Sequence, residues 1–234
     1  MKILVFDDSA IHRKAASALL KGHDVTVVGT YDEAEKALTR QVDYDKKKDI
    51  FFAKYGDRDP YKSGIDDALR NERMAYYSGE AEQLATTIPD FDVVLTDLLV
   101  PASAKAQGGE GEKFVGKEMP LGTVIALRAL AAGAKKVAVV TDMNHHHHPG
   151  SAAFDGFPAF SIGDVKVLCT NRDVTDFLDA ETLEKVTYDF LQTPEGKQKH
   201  PRNDADYTYA GILVAKAWDR ILDRLTSETP EEEQ

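Results

Sequence analysis

The chain has 234 residues, with 29 Lys and Arg against 40 Asp and Glu, a formal charge of −11. That length allows one decorated domain or two small ones, with a core that needs no disulfide staples. The acidic balance argues against a nucleic-acid or anionic-membrane partner, since binding phosphates takes clustered Lys and Arg.

The first apolar run, Lys2–Phe6, stops abruptly at Asp7, Asp8 and Ser9, as a buried parallel strand does when it reaches a loop. Ser9 is placed to cap a helix over 10–21, with Ile11, Ala15, Ala18 and Leu19 on its apolar face and Gly22 as terminator. A second strand at 24–28 leads to Thr30, whose spacing to Glu33 is that of a capping box for a helix over 31–40. Residues 41–88 interrupt the alternation with a polar helical insertion, including a helix at about 65–84. A third strand, 91–96, ends in Asp97. A second insertion, about 102–119, carries Gly108, Gly109, Gly111 and Gly116, and matches neither a phosphate-binding nor a dinucleotide-binding fingerprint.

A helix over 121–132 follows, then a strand over 137–140 ending in Thr141 and Asp142, and a fifth strand over 165–169. Cys169, the lone cysteine, reads as a buried thiol. The tail predicts one helix over 207–225, with Ile212, Ala215, Trp218, Ile221, Leu222 and Leu225 at helical spacing, a face suited to the core or to a homodimer. The expectation is a single α/β domain over 1–227: a doubly wound, five-stranded parallel sheet with a helical insertion and an extra C-terminal helix. Residues 228–234 form an acidic tail expected to fray. No apolar run is long enough to span a membrane and no signal peptide is evident, so a cytoplasmic setting is expected.

Strands of such a sheet deliver their C-terminal ends to one edge, where ligands bind. Asp7, Asp8, Asp97 and Asp142 would meet there and repel one another unless a cation or a proton intervenes. Oxygen ligands of this kind suit Mg²⁺. After Asn144 comes His145-His146-His147-His148, in the loop that follows the fourth strand. Alternate members of that run could add imidazole ligands, which would favour Mn²⁺, Fe²⁺ or Zn²⁺, or could serve as acid or base. A solvated loop is the plainer reading. His12, His23 and His200 show no partner in the sequence, and surface placement is the default for them.

The acidic pair Asp7-Asp8, the Asp97-Leu98-Leu99-Val100-Pro101 segment, Thr141 after the fourth strand, and Met119 to Gly122 leading into a helix with Arg128 resemble, in this order, a response-regulator receiver domain. That is the CheY-like superfamily of two-component signalling, here divergent and carrying two insertions. The resemblance implies a flavodoxin-like receiver fold and Mg²⁺ held by Asp8, Asp97 and the Leu99 carbonyl, with Asp7 holding a metal-bound water. It further implies a phosphoprotein formed on Asp97, Thr141 as the switch hydroxyl, and a histidine kinase or other signalling protein as partner. The sequence departs from the pattern at the end of the fifth strand, where the family keeps a Lys. Here Thr170 and Asn171 stand at that point, Lys166 lies too early in the strand, and Asp142 adds a negative charge where the family has a small residue. Two other functions fit the residues. One is a metal-dependent hydrolase or phosphatase using the aspartates with His145–His148, although Asp7-Asp8-Ser9 lacks the Asp-x-Asp of haloacid-dehalogenase-like phosphatases. The other is a pseudo-receiver that only docks a partner.

Overall fold

The computed structural model describes residues 1–87, 89–105, 108–143, 148–155, 159–171 and 174–227. The chain divides into two compact units, one built from residues 1–35 with the described part of 90–234, the other from Lys36–Pro89.

The larger unit is organised by a six-stranded, mostly parallel sheet. Its parallel members are β1 (Lys2–Phe6), β2 (Asp24–Val28), β3 (Val93–Asp97), then, beyond the short ribbon strands β4 (Val100–Pro101) and β5 (Glu118–Met119), β6 (Lys136–Val140) and, past β7 (Phe160–Ile162), β8 (Val165–Thr170). Their order across the sheet is β2-β1-β3-β6-β8-β7. The sixth strand, β7, pairs antiparallel with β8, so five parallel strands alone do not account for the sheet. Ile3, Leu4, Val5 and Phe6 of β1 and Val93, Val94 and Leu95 of β3 are fully buried, as expected of strands covered on both faces.

Local signals explain several boundaries. Helix α1 (Ala10–Leu19) follows β1, but the Ser9 side chain makes no capping bond; Ser9 instead donates its backbone N–H to Asp7. The buried face of α1 is His12, Ala15 and Ala16; of the predicted stripe, Ala15 is buried and Leu19 packs against the core, but Ile11 is exposed. Helix α2 (Tyr31–Ala37) starts on a true capping box: Glu33 N–H donates to Thr30 Oγ1 at 3.2 Å, and Thr30 N–H to the Glu33 carboxylate at 3.1 Å. Helix α3 (Gly122–Ala132) ends at Gly133, whose φ of +99° closes the helix in the left-handed region.

The C-terminal portion departs most from expectation. Residues 207–225 do not form one helix. Strand β9 (Thr175–Asp179) pairs antiparallel with β10 (Ile212–Lys216), and helix α4 (Trp218–Thr226) begins only after it. Trp218, Ile221, Leu222 and Leu225 keep a helical period and are buried in the main core with Ile3, Val5 and Leu95. Ile212 and Ala215 belong to the strand, where apolar residues at short range fit either period.

The smaller unit is closed by an antiparallel ribbon, Gln41–Val42 with Thr86–Thr87. Its helix Tyr44–Tyr55 is capped by the Asp43 carboxylate and stopped by Gly56 at φ +72°. The helix expected near 65–84 runs as Asp67–Tyr76, a π-helical turn at Tyr77–Ala81, and Glu82–Ala85. Its centre is Phe51, packed against Tyr55, Tyr76 and Tyr77 and under the Arg73 guanidinium at 5.0 Å. Among the described residues, no helix is long and apolar enough to cross a membrane.

Candidate functional site

β1, β3 and β6 lie side by side and end at one edge, so Asp7, Asp97 and Thr141 are neighbours by register: Phe6 faces Thr96, and Asp97 faces Val140. The loop after β1 is tied down by Arg13, whose guanidinium donates to the carbonyls of Asp7 and Asp8 at 2.8 and 2.6 Å. Beyond β3, Leu98 N–H donates to Val140 O and to the Asp97 carboxylate, and Gly122 N–H donates to Leu98 O. A Cβ on Gly122 would lie 1.7 Å from the Asp97 carbonyl oxygen, so α3 starts this close to the site only because residue 122 is glycine.

These elements frame a cleft of about 180 Å³ lined by Asp8, Ser9, His12, Asp97, Leu99, Glu118, Thr141, Asp142 and Met143. Carboxylate oxygens of Asp7, Asp8 and Asp97 lie within 4.8 Å of one another. Asp7 does not line the cleft and is fully buried. One of its oxygens accepts from Ser9 N–H at 2.9 Å, the other from the Lys216 ammonium at 2.7 Å.

Lys216 overturns the expectation that this edge lacks a cation. It is the last residue of β10 and is fully buried, with Nζ 2.7 Å from Asp7, 2.8 Å from Asp97 and 3.8 Å from Asp142. The positions where the sequence pointed to a gap are occupied otherwise. Asn171 donates to Ser151 O and Asp155, and Lys166 donates to the Arg224 and Ser227 carbonyls at the end of α4.

His12 is likewise buried rather than on the surface. Its Nε2 lies 3.1 Å from Asp142 Oδ2, and its Nδ1 accepts the Lys216 backbone N–H at 3.2 Å. Since Nδ1 must be unprotonated to accept, the proton sits on Nε2 and is donated to Asp142. His200 is also buried, its Nδ1 2.9 Å from Ala210 O.

The electrostatics follow from this packing. Burial lifts the Asp97 carboxyl to about 7, with the neighbouring Asp7 charge adding to the rise and Lys216 opposing it. Burial and Asp7 also raise Asp8. Asp142 is held down at about 2, chiefly by the hydrogen bond from His12. Burial alone would lower Lys216, but Asp97, Asp7 and Asp142 together hold it above the ordinary lysine value. Cys169, expected to be buried, is half-buried, and desolvation pushes its thiol up to about 11.

Asp7, Asp8 and Asp97 bring more negative charge to this edge than the one Lys216 ammonium balances, and their carboxylates are oxygen donors of the kind a hard divalent cation takes, with His12 and Met143 also lining the cleft. His145, His146 and His147 lie outside the described residues. His148 uses Nδ1 to accept Gly150 N–H at 2.9 Å and caps the short helix Pro149–Ala152. Thr141 is buried beside Asp97, its Oγ1 accepting Met143 N–H at 3.2 Å.

Of the residues the sequence points to, the structure brings Asp7, Asp8, Asp97, Leu99, Thr141 and Asp142 together, and it adds Lys216, His12 and Glu118, which the sequence does not single out. Glu118 lies on the short strand leading into α3, just before the Met119–Gly122 segment, at the end of the stretch the sequence reads as an insertion. No protein family, curated protein or solved structure matches the chain.

Proposed function

We propose that the chain is a stand-alone, receiver-like protein that binds Mg²⁺ and accepts a phosphoryl group on Asp97. The observation that carries this reading is the buried Lys216 ammonium within hydrogen-bond reach of both Asp7 and Asp97. The receiver resemblance asks for a Lys after the fifth strand. Lys216 supplies that charge from the strand immediately before the last helix, with the chain from 171 to 211 inserted ahead of it. The strand order β2-β1-β3-β6-β8 is the flavodoxin-like order and supports the same architecture.

In this reading Asp8, Asp97 and the Leu99 carbonyl would hold Mg²⁺, which when bound would neutralise carboxylate and phosphoryl charge. Asp97 Oδ1 is engaged by Leu98 N–H and Lys216, leaving Oδ2 as the nucleophile. Oδ2 attacks the phosphorus of a small donor such as phosphoramidate or acetyl phosphate. A P–O bond to Asp97 forms while the bond to ammonia or acetate breaks with its electron pair. Lys216 turns one N–H from a carboxylate to a phosphoryl oxygen, and the Thr141 hydroxyl donates to another.

Intact-mass spectrometry of the protein incubated with phosphoramidate and Mg²⁺ tests the reading. One added phosphoryl group is expected, absent in Asp97→Asn and released by hydroxylamine. No adduct on the wild type, or an adduct that survives in Asp97→Asn, overturns it.

A further inference from the structure

We infer that His12 is the positioning residue that sets where the Lys216 ammonium stands, an inference that rests on the receiver-like reading for its functional consequence. Three bonds converge on His12 from the C-terminal segment and the loop after β6. The Lys216 backbone N–H donates to Nδ1 at 3.2 Å, Trp218 Nε1–H donates to the His12 carbonyl at 2.9 Å, and Nε2–H donates to Asp142 at 3.1 Å. The first two are buried where α1 packs on β10 and α4, and the third is half-buried at the cleft.

Both ring nitrogens are therefore committed. Nδ1 cannot take a proton without releasing the Lys216 backbone, and Nε2–H is already spent on Asp142, so His12 has no free valence for proton transfer. What it does instead is geometric. Lys216 sits at the end of a two-stranded antiparallel ribbon, where its partner residue is Thr175, and among the described residues no strand of the central sheet pairs with it. The His12 ring supplies a fixed acceptor on that side, and by holding Asp142 it limits how far that carboxylate can swing toward the ammonium 3.8 Å away. Losing the acceptor leaves a buried N–H unpaired, which a strand end can relieve by shifting.

Two substitutions separate these duties. Asn in place of His12 puts an amide oxygen near the Nδ1 position but does not reach Asp142; Gln keeps a donor toward Asp142 and loses the acceptor. In full-length protein labelled with ¹⁵N, the buried Lys216 ammonium is expected to give a slowly exchanging ¹H–¹⁵N signal, assigned by its loss in Lys216→Met. That signal persists in His12→Asn and vanishes or broadens in His12→Gln and His12→Ala. Phosphoryl uptake on Asp97 falls by about tenfold in His12→Gln and by less than about threefold in His12→Asn, a gap on the scale of one hydrogen bond. An unchanged ammonium signal in both His12→Gln and His12→Ala overturns the inference. So does equal loss in Asn and Gln variants that tracks only their melting temperatures. If the wild type takes up no phosphoryl group, the receiver-like reading falls, while the ammonium signal still decides the role of His12.

Discussion

The ends of β1, β3 and β6 bring their acids to the cleft from strands of the central sheet, whereas Lys216 arrives on β10, from a two-stranded antiparallel ribbon outside that sheet. The acids are placed by register: once Phe6 pairs with Thr96 and Asp97 with Val140, their positions follow. The cation is placed by packing, through His12 on α1 and through Trp218, fully buried in the core. A centre built this way ties the C-terminal segment to the first strand, because the acid at residue 7 is buried and needs the base at residue 216.

The strongest way to break that coupling is Lys216→Met. It leaves Asp7 fully buried with its ion partner gone, and removal of one member of a buried pair costs about 3–5 kcal/mol. Denaturant unfolding of the metal-free protein is expected to show that loss, with part of it recovered in Lys216→Met/Asp97→Asn, where one unpaired acid is also removed. A loss below about 1 kcal/mol would mean that the β9–β10 ribbon lends the site little and that the acids are tolerated without it.

The difference between the regions also explains what could be read in advance. A polar stop after a short apolar run is a local pattern, so Asp7, Asp8, Asp97, Thr141 and Asp142 were legible, as was the alternation that builds the parallel strands. Lys216 and His12 meet across 204 residues, and no local pattern records that. His12 also sits one residue from the apolar stripe that Ile11 suggests, so the local pattern does not show that its imidazole is buried. The apolar residues from 212 to 225 span a strand and a helix whose periods agree over so short a range that one long helix fitted them. The short strands β4, β5 and β7 carry too few residues for any period to show.

Protonation probes the acidic half of the comparison. The folded Asp97 carboxyl, at about 7, binds a proton more tightly than it would unfolded, so its charged form opposes folding. In metal-free protein, stability from this group is fully present below the unfolded carboxylate range and is lost as pH rises through about 7. Unfolding midpoints measured with chelator between about pH 5 and pH 8 should therefore fall with rising pH, and Asp97→Asn should flatten the slope. Excess Mg²⁺ should flatten it too, since a cation stabilises the ionised form. A midpoint that rises over that interval would show that Lys216 outweighs burial at Asp97.

The smallest expected effect comes from the other lysine near the strand ends. Lys166 lies on β8, inside the central sheet and far closer in sequence to the place where receiver domains keep their cation. Its Nζ nevertheless reaches back to the Arg224 and Ser227 carbonyls, where it satisfies the last acceptors of α4 and meets the negative end of the helix dipole. Lys166→Gln removes that charge at the rim of the fold and not at the cleft, so it is expected to cost about 0.5–1 kcal/mol. Phosphoryl uptake and Mg²⁺ affinity should stay at wild-type values, measured beside Lys216→Met in the same assays. Loss of uptake in Lys166→Gln with stability retained would move the functional cation back into the central sheet and leave Lys216 a purely structural partner of Asp7.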